Sequence, residues 1–202
     1  MLLLGESHIY TSADDLRWHV RRDRLPLGAQ GTPPVFARLV YCLGYGETAL
    51  LDGLPHQRNS GTRQFWDLFG RLAGTGRSPR RREHPILEAR LQWKIRTLEI
   101  LRNLGVWVTD ASLHAMYAPG GKRVGSRLCQ ALHQSWWEGY GAQQLSNLGP
   151  QKVWIIGKTV ADVCDRLAIP YDGWIYQPGA GRSPTRDLTR GWKELLEDVS
   201  AF

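Results

Sequence analysis

Four short apolar runs set the strongest limit on how this chain can fold. They lie at residues 1–4, 106–109, 153–156 and 174–176, and each reads as a strand buried in a sheet. Between and after them lie stretches with helical spacing, at 35–43, 62–73, 85–104, 124–140, 159–167 and 188–199. Residues 14–24 read as a short helix or a loop. Strands alternating with helices argue for an α/β fold with parallel strands. The stripe Leu87, Leu91, Ile95, Leu98 and Leu101 marks the longest helix, closed by Gly105. In the stretch 62–73, Phe65, Leu68, Phe69 and Leu72 share a face.

Ligands of open parallel sheets bind beyond the carboxyl ends of the strands. Three of the four loops there carry concentrated polar chemistry. Gly5-Glu6-Ser7-His8-Ile9-Tyr10 crowds a carboxylate, a hydroxyl, an imidazole and a phenol into one turn. There Glu6 can hold a water or stabilise a cationic sugar, and His8 can donate to a leaving group. The same residues can equally cap a following helix. Asp110, in Thr109-Asp110-Ala111-Ser112, is either an N-cap or a carboxylate that reads a base or positions water. Tyr176-Gln177-Pro178-Gly179-Ala180-Gly181-Arg182-Ser183 forms a tight, small-residue loop, in which Arg182 and Ser183 can approach a phosphate.

At 202 residues the chain is long enough for one well-filled domain, expected over 1–202. Its net charge of +7 suits a polyanionic partner, and is equally open to a basic protein without one. Arg80, Arg81 and Arg82, together with Lys122 and Arg123, are the expected phosphate contacts. The three cysteines, Cys42, Cys129 and Cys164, are too few and too scattered for a disulfide framework or a four-cysteine cluster. They read as buried or incidental thiols in a reducing cytosol. No apolar run approaches the roughly 18 residues of a membrane helix, and no signal peptide is visible. A soluble, cytoplasmic monomer is expected. Lys152 stands where a P-loop ahead of Gly157-Lys158-Thr159 needs glycine, and HExxH, GxSxG and CxxC are absent.

Together the three loops resemble the motifs of the uracil-DNA glycosylase superfamily. Gly5-Glu6-Ser7 matches the loop after strand one in the branches that begin Gly-Glu. Gly105-Val106-Trp107-Val108-Thr109-Asp110 matches Gly-Val-x-x-x-(Asn/Asp). Gln177-Pro178-Gly179 stands where His-Pro-Ser often ends the pattern. The resemblance implies a three-layer α/β/α sandwich around a four-stranded parallel sheet. It also implies a monofunctional glycosylase that needs no cofactor or metal, flips a base out of single- or double-stranded DNA and leaves an abasic site.

On that resemblance the catalytic residues are Glu6, His8 and Asp110. Base recognition falls to Ser7, Ile9, Tyr10, Phe36, Asp110 and Gln177, with Phe36 or Tyr41 stacking on the base. Trp18, Tyr45, Trp136 and Trp137 are candidate walls of a sugar-accepting pocket, or plain core. Ile9 stands where the fast uracil enzymes carry a tyrosine that blocks C5 substituents. Asp110 is an acceptor where the family uses asparagine, and suits the exocyclic amine of cytosine. Both departures point to a C5-modified cytosine, such as the glucosylated hydroxymethylcytosine of phage DNA removed by a bacterial antiviral branch. A uracil or hypoxanthine repair enzyme, a non-catalytic DNA-binding module and a nucleoside hydrolase are the rival readings.

Overall fold

The computed structural model describes residues 1–29, 31–55, 58–117, 122–178 and 189–202. Its strands fall on the four apolar runs: β1 (Leu2–Gly5), β2 (Trp107–Asp110), β3 (Val153–Ile156) and β4 (Gly173–Ile175). They form one all-parallel sheet in the order β2-β1-β3-β4. With helices flanking this sheet, the fold class is α/β of the three-layer α/β/α type.

The order explains the sequence of each strand. β1 and β3 are interior strands and every residue of both is buried, so they are apolar or small throughout. β2 is an edge strand and alternates instead: Trp107 is 57 % exposed while Val108 is buried. The expectation of a fully buried strand there is corrected by its edge position.

The chain divides into two compact units, residues 1–8 with 102–202, and residues 9–101. The first holds the sheet. Its core joins Leu2 and Leu4 of β1 and Val153 and Ile155 of β3 with Trp136, Val160, Ala161 and Cys164 from the helices. The unit carries the helices α3 (Ser126–Trp136), α4 (Ala142–Leu148), α5 (Lys158–Arg166) and α6 (Trp192–Ser200), and these core residues come from α3 and α5. The single helix expected over 124–140 is instead α3, a π turn at Trp137–Gly141, and then α4. Gly141 lies against the buried Trp136 ring, and a Cβ there would come within 2.6 Å of it. The wider turn makes room for the indole. α6 starts at Trp192, and the expected start at residue 188 lies outside the described residues.

The second unit carries α1 (Arg63–Leu72), most of α2 (Leu87–Asn103) and three 3₁₀ turns. Two of the turns, Asp15–Arg17 and Arg22–Arg24, occupy the stretch expected as a short helix or loop. The helix expected over 35–43 does not form. Phe36 N–H donates to the Trp18 carbonyl and Arg38 N–H to the Thr11 hydroxyl, so the backbone is tied outward rather than to itself. Buried ion pairs sit beside the apolar packing in this unit. Buried Asp15 accepts from Arg38 at 3.0 Å, and Glu47 accepts from Arg90 at 2.7 Å and Lys94 at 3.2 Å. The buried face of α2 therefore includes Arg90, Lys94 and Thr97 beside Leu91, Ile95 and Leu101, which the leucine stripe alone does not show. Among the described residues no helix is long and apolar enough to cross a membrane.

Candidate functional site

In a sheet ordered β2-β1-β3-β4, the chain steps from β1 to β2 on one side and then crosses to β3 on the other side of β1, so the strand order reverses between β1 and β3 and a crevice opens at their carboxyl ends. A cavity of about 210 Å³ lies there, lined by Glu6, Tyr117, Arg123, Tyr176 and Gln177 together with the turn into α5. That is below the roughly 300–1,000 Å³ of drug-sized ligand sites and is on the scale of one base.

The register pairs Gly5 with Asp110, so the loops after β1 and β2 start side by side. Ala111 N–H donates to the Gly5 carbonyl at 2.7 Å. Three residues beyond Gly5, the His8 imidazole reaches back to Asp110, with Nδ1 2.9 Å from Oδ2. Both side chains stay partly open to solvent. If Nδ1 carries the proton to this carboxylate, Nε2 presents its lone pair outward. Ser7 is used structurally: its hydroxyl accepts from Met116 N–H at 3.0 Å and donates to the His8 carbonyl at 3.2 Å. It thereby anchors the segment that leads to Tyr117.

Glu6 is only 4 % exposed and is surrounded by donors. Arg123 grips it with two nitrogens, Nε lying 3.0 Å from Oε2 and Nη2 meeting Oε1. The Tyr117 hydroxyl donates to the same Oε2 and also touches Gln177 at 3.2 Å. Burial, and then the bond to Glu6, push the Tyr117 phenol up to about 12, so it remains a donor at neutral pH.

Beneath Glu6 lie Cys129 and His133, four residues apart on α3. Burial, followed by the Glu6 charge, pushes the Cys129 thiol up to about 11. Burial lowers the His133 imidazole, whose Nδ1 lies 2.5 Å from the Ala111 carbonyl. One ligand atom each of Glu6, Cys129 and His133 lie within 4.8 Å of one another, a donor set of a kind that can hold zinc. The positive charge among them is already supplied by Arg123, whose Nη2 is 3.1 Å from the Cys129 sulfur.

Of the residues singled out in the sequence, Glu6, Ser7, His8, Asp110, Gln177 and Arg123 converge in this unit. Arg123, expected on phosphate, is instead the ion-pair partner of Glu6. Asp110, expected to read a base edge, is engaged by His8. Lys122 is exposed beside them. Ile9 is half-buried and Tyr10 about half exposed.

The expectation for Phe36 is corrected. Phe36 is fully buried in the second unit, edge-on to Tyr45 with the Arg38 guanidinium 5.5 Å from its ring, so neither face is open to a base. Tyr45 and Trp136 take the core alternative, since both are buried. Tyr41, the other candidate for stacking on a base, is half-buried against Phe69. Arg80, Arg81 and Arg82 are exposed on the second unit, Arg80 being paired with Glu83 at 3.5 Å. Arg182 and Ser183 lie outside the described residues.

Sequence reasoning missed Tyr117, Cys129 and His133. The i, i+4 spacing of Cys129 and His133 was the available signal, since it puts both on one helix face. Comparison with protein-family models, curated proteins and solved structures gives no match, so the geometry of the site stands on its own residues.

Proposed function

We propose that this chain is a DNA glycosylase that hydrolyses the N-glycosidic bond of a flipped base, a C5-modified cytosine, and leaves an abasic site. The observation that carries the reading is the His8–Asp110 couple beside buried Glu6, on neighbouring loops at the carboxyl ends of β1 and β2. A carboxylate that holds an imidazole by Nδ1 leaves Nε2 to take a proton from water. The hydroxide adds to C1′ of the sugar as the bond to the base breaks, and the base departs with the electron pair. Glu6, its charge offset by Arg123, holds the Tyr117 hydroxyl at the wall of the cavity. The base sits in the cavity against Tyr117 and Gln177.

The exposed arginines of the second unit supply sequence-independent attraction to phosphate. The free, buried thiols Cys42, Cys129 and Cys164 fit a reducing compartment, so we place the enzyme in the cytoplasm with DNA as its partner.

The test is base release from DNAs carrying uracil, hypoxanthine, cytosine, hydroxymethylcytosine or glucosylated hydroxymethylcytosine, read as alkali-labile sites. Release from the modified cytosines alone is the expected result. Release of uracil or hypoxanthine makes it a repair enzyme. DNA binding without release from any member leaves a binding module.

A further inference from the structure

We infer that Gln177 presents its carbonyl oxygen, not its amide nitrogen, to the bound base, and so selects bases that offer a hydrogen-bond donor at C4. This rests on the glycosylase reading of the cavity. The inference comes from counting protons. The Tyr117 hydroxyl has one proton and two neighbours, Glu6 Oε2 and the Gln177 amide. Glu6 is already gripped by Arg123 through both of its oxygens and is acceptor-only in that state. The Tyr117 proton therefore goes to Glu6.

As the amide is placed, Gln177 Oε1 lies 3.2 Å from the Tyr117 phenol oxygen, which then has lone pairs and no proton to give. Placing the Gln177 carbonyl there sets two acceptors against each other, while placing the NH2 there makes a bond. The two ends of a glutamine amide are distinguished by their partners alone, and the Tyr117 hydroxyl is the one partner of this amide among the described residues. Once the NH2 is spent on Tyr117, the carbonyl is the end left for the cavity that Gln177 lines.

Cytosine bases carry an amine at C4 and uracil bases carry a carbonyl there. A cavity offering an acceptor bonds the first, and leaves two acceptors facing each other with the second. The preference for a cytosine-type base then lies in Gln177, held by Tyr117, which in turn is held by the Glu6–Arg123 pair. Asp110 is left to hold His8.

The experiment uses two duplexes that differ only at the target base, 5-hydroxymethylcytosine and 5-hydroxymethyluracil. Each is built on a 2′-fluoroarabino sugar that resists cleavage, so that binding is read apart from turnover. The wild-type chain is expected to bind the amino member about tenfold or more tightly. In Tyr117→Phe, where Gln177 is free to turn, the ratio should fall to within about threefold. Gln177→Glu, which offers an acceptor in either orientation, should keep the preference. Equal binding, or tighter binding of the oxo member by the wild type, overturns the inference, as does a ratio unchanged in Tyr117→Phe. If the pair is discriminated as expected but no natural DNA loses a base, the inference stands and the glycosylase activity falls.

Discussion

Arg123→Ala removes the one cationic partner, among the described residues, of a carboxylate that folding has taken out of water. The Glu6 side chain is 3 % exposed and that of Arg123 is 31 % exposed. Breaking a buried pair by deleting one partner costs about 3–5 kcal/mol. A pair exposed at both ends is worth about 0–1 kcal/mol. With one partner fully buried and the other a third open, the expected loss is about 2–3 kcal/mol. For a chain of this size that is a fall in Tm of about 4–12 °C.

Urea unfolding followed by tryptophan fluorescence checks the loss. Arg123→Lys, which keeps the charge and gives up the two-pronged grip, should fall between wild type and alanine. Glu6→Gln removes the need for a cation, so the double variant Glu6→Gln/Arg123→Ala should be more stable than the sum of the single losses by about 1–2 kcal/mol. A single-variant loss under about 0.5 kcal/mol, or a coupling near zero, would refute the picture of Glu6 as a buried charge dependent on Arg123.

Three further outcomes follow from the same unit. His8→Ala and Asp110→Asn should each lower base release by about 10²–10⁴ while DNA binding persists, and near-full rates in both would remove the couple from the mechanism. His133 is held below its ordinary 6.5 by burial, so as pH falls through that value the unfolded chain gains a proton that the folded chain refuses. Stability should then drop by up to about 1.4 kcal/mol per pH unit, and His133→Gln should flatten that slope. A pH profile unaltered by the substitution would argue against a buried, neutral imidazole. The Cys129 thiol, raised to about 11, should resist iodoacetamide at pH 8 in the folded chain and react once it is unfolded, as peptide mass mapping would show. Labelling at the rate of a free thiol in the folded chain contradicts its placement beside Glu6.

Much of the sheet was legible because interior parallel strands have little choice of residue. The run at 153–156 coincides with β3, and the other three strands fall within one residue of their apolar runs at each end. Position in the sheet was not legible: Trp107 reads as core by composition and is exposed because β2 lies at the edge. The stretch 35–43 carries helical spacing, but its backbone bonds to Trp18 and Thr11, partners that periodicity cannot reveal. At the site, Glu6, His8 and Asp110 are legible because they lie at or just beyond the carboxyl ends of strands. Tyr117, Cys129 and His133 were not, since they are brought to Glu6 by tertiary packing across more than 100 residues. Arg123 reads by its charge as a phosphate contact, because a sequence does not show that a buried carboxylate will claim a guanidinium.

The register of the sheet also has a consequence for synthesis. β1 pairs with β2 through Leu2 and Trp107 and with β3 through Leu2 and Val153, so neither neighbour exists until about 100 more residues have been made. At ribosomal speeds of about 5–20 residues per second, the apolar Leu2-Leu3-Leu4 segment waits roughly 5–20 s without a partner strand. The intervening unit of residues 9–101 is synthesised within that interval. The strand on which the whole sheet is organised is therefore made early and docked late, and the nascent chain must keep its most apolar segment from aggregation for the time between.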